Sequence, residues 1–155
     1  VFGIKIAKTK SKDMIWPDQL WFWIIAYDLW NLSYCYNCIS TRSMYAGFIL
    51  LLSCTISEFV LKKGAWLQHR AQTLALWAMF SITFSSYAKS PLFSITSSYK
   101  PAALLVISVL SIASNLAVFA YEIAHIAKTK RNPITQDVYV DLKSYKAVLQ
   151  DNNLA

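Results

Sequence analysis

The sequence predicts an all-α fold, a polytopic membrane helical bundle of about four transmembrane helices with both chain ends on the cytoplasmic side. Three observations predict it. The 155-residue chain is 56% hydrophobic and only 15% charged, whereas a soluble domain usually carries about 25% charged residues. The stretch from Ala102 to Tyr121 holds no charged residue, and roughly 20 apolar residues suffice to cross hydrocarbon as a helix. The basic residues, finally, are spread unevenly between the loops. The abundance of Trp, Tyr, Phe, Leu and Ile excludes a disordered chain.

Residues 1–15 read as a basic cytoplasmic N-terminal segment in which Lys alternates with apolar residues. It lacks the apolar h-region of a secretory signal peptide. Because the chain begins at Val1, further helices upstream are an open expectation. A four-helix transmembrane domain is expected over 16–127. Its first segment runs from about Asp18 to Cys38, opened by Trp16-Pro17-Asp18. Pro suits a first helical turn and Asp an N-terminal position, and Trp16, Trp21 and Trp23 suit an interfacial aromatic belt. The second segment, Tyr45 to Leu61, stops at Lys62-Lys63-Gly64. The third covers Ala65 to Tyr87, with its apolar stretch starting at Thr73; the fourth covers Pro101 to Ala127. Residues 128–155 form a polar tail. There Val138, Leu142, Tyr145 and Leu149 recur at i, i+4, i+7 and i+11, the spacing of a short amphipathic helix lying on a surface.

Four spans place the N-terminus, the second loop and the tail on one side. That side carries Lys5, Lys8, Lys10, Lys12, Lys62, Lys63, Lys128, Lys130, Arg131, Lys143 and Lys146, eleven basic residues against Arg42, Lys89 and Lys100 opposite. The bias follows the positive-inside rule, and a three-span arrangement would lose it. It also accounts for the net charge of +7 without a nucleic-acid partner, which would need a basic, water-exposed module.

Polar groups inside hydrocarbon cost a few kcal/mol each at mid-depth and are usually turned towards the bundle interior. In the first segment Trp23, Tyr27, Trp30, Asn31, Tyr34 and Cys38 fall within about 100° on a helical wheel, with Asp28 on the flank. The expected ligand-binding set is Trp23, Tyr27, Asp28 and Asn31, joined at the same depth by Asn115 of the fourth segment. Packing of helix on helix explains the same stripe equally well. Glu58, His69 and Arg70 are expected near the cytoplasmic face as an ion pair or a proton-coupled gate. Cys35 and Cys38 have C-x-x-C spacing, but a zinc site would need two further ligands. Neither a metal nor a cofactor is expected, and the catalytic triad, P-loop and HExxH patterns are missing.

Two stretches carry a resemblance. Trp-Phe-Trp-Ile-Ile-Ala-Tyr-Asp-Leu-Trp-Asn at 21–31, leading into Tyr36-Asn37-Cys38, and Gly-Ala-Trp-Leu-Gln-His-Arg-Ala-Gln-Thr-Leu-Ala-Leu-Trp at 64–77 resemble a family of uncharacterised bacterial multi-pass membrane proteins, a domain of unknown function. The resemblance runs from Trp16 to Asn132-Pro133. It implies a bacterial inner-membrane address and the C-terminal part of a longer protein, and no activity. Trp23-x3-Tyr27-x3-Asn31 is similar to the Trp-x3-Trp-x3-Asn pattern of nicotinamide riboside uptake proteins, whose helices bind substrate through aromatic and Asn side chains; here Tyr27 stands for the second Trp.

The expected function is that of a small-solute transporter or facilitator in the lipid bilayer, not an enzyme. The alternative is a non-catalytic partner subunit of a larger membrane complex, or a homo-oligomer. An acid–base enzyme using Asp28, or Glu58 with His69, ranks third because no nucleophile accompanies them.

Overall fold

The computed structural model describes residues 3–39, 48–96 and 98–154. The chain opens with a two-stranded antiparallel hairpin, β1 (Lys5–Ile6) and β2 (Met14–Ile15), with Lys5 opposite Ile15. Six helices follow among the described residues: α1 (Trp21–Cys38), α2 (Leu50–Ile56), α3 (Trp66–Thr83), α4 (Ser85–Ala88), α5 (Pro101–Thr129) and α6 (Lys143–Asp151). A π-helical turn, Ser57–Leu61, extends α2 towards α3. The fold is mostly helical. The hairpin departs from the all-α expectation: Lys-Ile-Ala alternation with a turn at Lys10-Ser11 favours a period of two.

Of the four expected spans, one helix, α5, is both long and apolar enough to cross a membrane among the described residues. Pro101 opens it, where a missing N–H costs nothing. Lys130 in the left-handed region closes it. Helices α1 and α3 reach 18 residues each, about 27 Å, but Asp28 and Asn31, or Gln68 to Gln72, dilute their apolar character. The start of the second expected span, 45–47, and Arg42 lie outside the described residues.

Helices α1 and α5 form the main packed pair. Asn115 Nδ2 donates to the Ala26 carbonyl at 3.0 Å, and Asn37 Nδ2 donates to Ser108 Oγ at 3.0 Å. Small polar residues here let two helices approach closely. On the opposite flank of α1 lie α2 and α3, where Ile24, Cys54 and Trp66 form a buried cluster.

Both chain ends meet the α2–α3 turn in a second unit. Trp16 N–H donates to the Gly64 carbonyl at 2.8 Å, and Ala7, Ile15, Ala65 and Val148 pack together. Lys5 Nζ sits 2.8 Å from Asp137 Oδ2, an oxygen that also accepts from Tyr145 OH at 2.7 Å. The fully buried Asn152 donates to the Lys63 carbonyl at 2.8 Å, and its own carbonyl accepts from Lys8 N–H at 3.1 Å. Asp18 was expected at the start of the first helix. That helix begins instead at Trp21, and the Asp18 carboxylate accepts the N–H groups of Val138 and Tyr139 at 2.7 and 3.1 Å. The tail helix is also shorter than expected: Val138 and Leu142 precede α6, and Tyr145 and Val148 are its buried face.

Candidate functional site

Positions 23 and 27 of α1 lie one turn apart, so their side chains meet. Trp23 stacks on Tyr27 with centroids 5.4 Å apart, and Trp66, the first residue of α3, meets both rings edge-on at 6.1 and 5.1 Å. The Trp66 indole N–H points at Thr55 of α2 and donates to its hydroxyl oxygen at 3.0 Å. With that lone pair engaged, the Thr55 proton goes to Asp28 Oδ2 at 2.6 Å. One polar relay, Trp66 to Thr55 to Asp28, thus ties three helices together.

The relay leaves charge to be answered. Asp28 Oδ1 is buried and has no hydrogen-bond partner among the described residues. Arg70, one turn beyond Trp66 on α3, is only 7% exposed, and its Nε and one terminal nitrogen likewise have no partner among the described residues. Its positive charge acts on Asp28 and on the thiols of Cys35 and Cys54. No salt bridge or direct hydrogen bond joins Arg70 to Asp28 among the described residues, so their attraction acts across a gap. On its outer side Asp28 lines a cleft of about 240 Å³ between α1 and α2, walled by Leu29, Leu51 and Leu52. Asn31 is buried a turn away, where its side-chain oxygen accepts from the Cys35 thiol at 3.5 Å.

A family model for a family of unknown function, DUF5692, matches residues 1–151. The chain belongs to DUF5692. No curated protein and no solved structure matches it. In this DUF5692 chain the two stretches that carried the resemblance meet at one place. Residues 21–31 supply Trp23, Tyr27, Asp28 and Asn31, and residues 64–77 supply Trp66 and Arg70.

The residues expected to act together are divided by the DUF5692 fold. Trp23, Tyr27 and Asp28 gather around Trp66 and Thr55, and Asn31 adjoins them through Cys35. Asn115 does not join: its amide is spent on the Ala26 and Ser111 carbonyls in the α1–α5 seam. Glu58 was expected to pair with Arg70. Its Oε1 instead accepts the Gly64 N–H at 2.6 Å, with the N–H groups of Ala65 and Trp66 also facing the carboxylate. A carboxylate over the first N–H groups of α3 answers the positive end of that helix. His69 pairs with neither Glu58 nor Arg70 among the described residues, and its buried Nδ1 has no hydrogen-bond partner there.

Thr55 and Trp66 are the site members that sequence reasoning missed. Thr55 was visible as a polar residue inside the second apolar segment, but its partner depended on how α2 is rotated. The three cysteines are free, Cys35 and Cys54 buried and Cys38 exposed. Among the described residues no group of His, Cys, Asp and Glu is arranged to hold a metal ion.

Proposed function

We propose that this DUF5692 protein is a multi-pass membrane protein of the bacterial inner membrane that binds and moves a small polar solute. The site is the Asp28–Arg70 centre, walled by Trp23, Tyr27 and Trp66, with Asn31 alongside. The observation that carries the reading is a half-buried carboxylate whose Oδ1 is buried and a buried guanidinium on neighbouring helices, each with hydrogen-bonding atoms unused among the described residues. Fully satisfied packing would leave no such atoms, since buried polar groups are otherwise hydrogen-bonded. A solute carrying both an acceptor and a donor would complete both.

Membrane insertion is supported by the surface. Only 6% of the most apolar window of α5 is buried within the chain, so outside its seam with α1 that helix faces its surroundings, as do Leu76, Met79 and Ile82 of α3. A core helix of a water-soluble domain would be covered. In a bilayer α1, α2 with its π-helical extension, α3 and α5 make the four crossings, the shorter ones sheltered by their neighbours.

The test is thermal stabilisation of the detergent-solubilised chain across a metabolite library, run on wild type, Asp28→Asn and Asn31→Ala. Stabilising ligands that lose their effect in Asp28→Asn support the site. No stabilising ligand, or equal shifts in wild type and variants, removes it. A second reading, a partner subunit without transport activity, is favoured by Trp21, Trp30 and Tyr34, which stand 57%, 50% and 52% exposed along one helix. Aromatic anchors of this kind are common in interfaces. A stoichiometric partner after native co-purification would support that reading over the first.

A further inference from the structure

We propose a second ligand site, for a small organic ammonium ion, where the start of α1, the end of α5 and the tail converge. A half-enclosed cavity of about 150 Å³ opens there. Three aromatic rings line it: Trp16 and Trp23, with centroids 6.4 Å apart, and the buried Tyr139. Two carboxylates line it as well, Asp18 and Glu122. Asp18 is held in place by the two tail N–H groups it accepts, whereas Glu122 enters no ion pair among the described residues. Basic groups in the same unit are engaged elsewhere, Lys5 on Asp137 and Arg131 on Asp141. In a chain of net charge +7 this cavity is therefore a locally acidic one.

The residue that points to a ligand is Gln19. It lines the cavity, is only 4% exposed, and neither its amide nitrogen nor its oxygen has a hydrogen-bond partner among the described residues. A buried primary amide left wholly unsatisfied is a standing cost, about 1–3 kcal/mol per lost bond in mutational series. A bound group with a hydroxyl or an N–H would relieve it.

Aromatic faces attract organic cations through the ring quadrupole, and a nearby carboxylate supplies the counter-charge. At roughly 30 Å³ per water, the cavity takes a solute of several heavy atoms rather than a large one. Choline has the required parts: a quaternary ammonium for the rings and Glu122, and a hydroxyl for Gln19. This site does not depend on the solute-transport reading, although Trp23 borders both.

The test titrates choline chloride into the full chain in detergent micelles at constant ionic strength. The readout is Trp fluorescence, with the uncharged isostere 3,3-dimethyl-1-butanol as the control. The expected result is saturable quenching by choline and none by the isostere. Glu122→Gln weakens choline binding by about tenfold or more, the step a lost charge contact produces. Gln19→Leu separates function from structure: it raises the melting temperature, because an unsatisfied amide is gone, while it lowers choline affinity. If choline fails to saturate, if the isostere binds equally, or if Glu122→Gln binds as wild type does, the proposal is overturned. A Gln19→Leu protein that melts lower assigns that side chain a structural role and also counts against it.

Discussion

Among single residues, Asp28 and Arg70 are the charged members of the site. Asp28→Asn keeps the acceptor for Thr55 but abandons the Arg70 charge; Arg70→Leu abandons the carboxylate. Each single change is expected to destabilise by about 1 kcal/mol, since the two charges attract without forming a salt bridge among the described residues. The double variant is expected to recover a coupling of about 0.5 kcal/mol relative to the sum, measured by detergent-phase thermal unfolding of all four proteins. Strict additivity would separate the two groups. Trp66→Phe preserves most ring contacts and deletes the donor to Thr55, so it costs about 1 kcal/mol and loosens the Thr55–Asp28 bond, read as a shift of the Thr55 hydroxyl and methyl signals in NMR. Much of this site was legible in the sequence. A charged residue at mid-helix beside an aromatic stripe announces itself by its cost, and Asp28, Trp23 and Tyr27 were found that way. Its partners were not, because Thr55 and Trp66 are ordinary packing residues until a particular rotation of α2 and α3 brings their polar atoms together. Glu58 and Asp18 were misassigned because backbone N–H groups take each carboxylate: those of the adjoining α2–α3 turn for Glu58, and those of a tail segment 120 residues away for Asp18, a contact no spacing rule records.

At the scale of elements, the unit formed by the hairpin, the α2–α3 turn and α6 is held by a few positions that tolerate little. Gly64 has φ +84°, and a Cβ there would lie 2.5 Å from Val148 Cγ1 and 2.8 Å from Ile15 Cγ2. Gly64→Ala therefore combines a left-handed backbone penalty with overpacking, about 3 kcal/mol together. Faster amide exchange in both the hairpin and α6 would register it; a change confined to one would contradict the shared packing. Asp13 fastens the end of the hairpin to α3. Hydrogen bonds from Ser11 and Gln68 and the charge of Lys62 hold its carboxyl below the ordinary value of 3.8. A carboxyl depressed in the folded state contributes stability that is present above its unfolded pKa and lost as pH falls through the folded one. Hairpin protection is thus expected to be complete near neutrality and to fade below about pH 4, and Asp13→Asn is expected to abolish that acid dependence in pH-resolved hydrogen exchange. Helix α5 was the most legible element, since a long uncharged apolar run bounded by Pro101 leaves few alternatives. The hairpin was the least legible, because two paired residues per strand carry almost no periodic signal, and its existence depends on the tail that covers it.

At the scale of the whole molecule, polar and apolar surfaces are segregated. One end carries the hairpin, the tail and their ion pairs, and the long helices extend from it with Leu105, Ile112, Leu116 and Phe119 of α5 all more than half exposed. Monomeric water-soluble proteins rarely tolerate an apolar surface this continuous. A surface of this kind requires hydrocarbon or a large partner. The two differ in what surrounds α5 on every side. The most direct measurement is spin-label accessibility in lipid vesicles, with single cysteines at Leu105, Ile112 and Phe119 on α5 and at Lys146 on α6, in a background lacking Cys35, Cys38 and Cys54. Residence in the bilayer predicts that the three α5 positions collide with dissolved oxygen and are shielded from a water-soluble nickel chelate, with the reverse at 146. Nickel access equal to that at 146 along the length of α5 would contradict the membrane-embedded site and everything inferred from its cost.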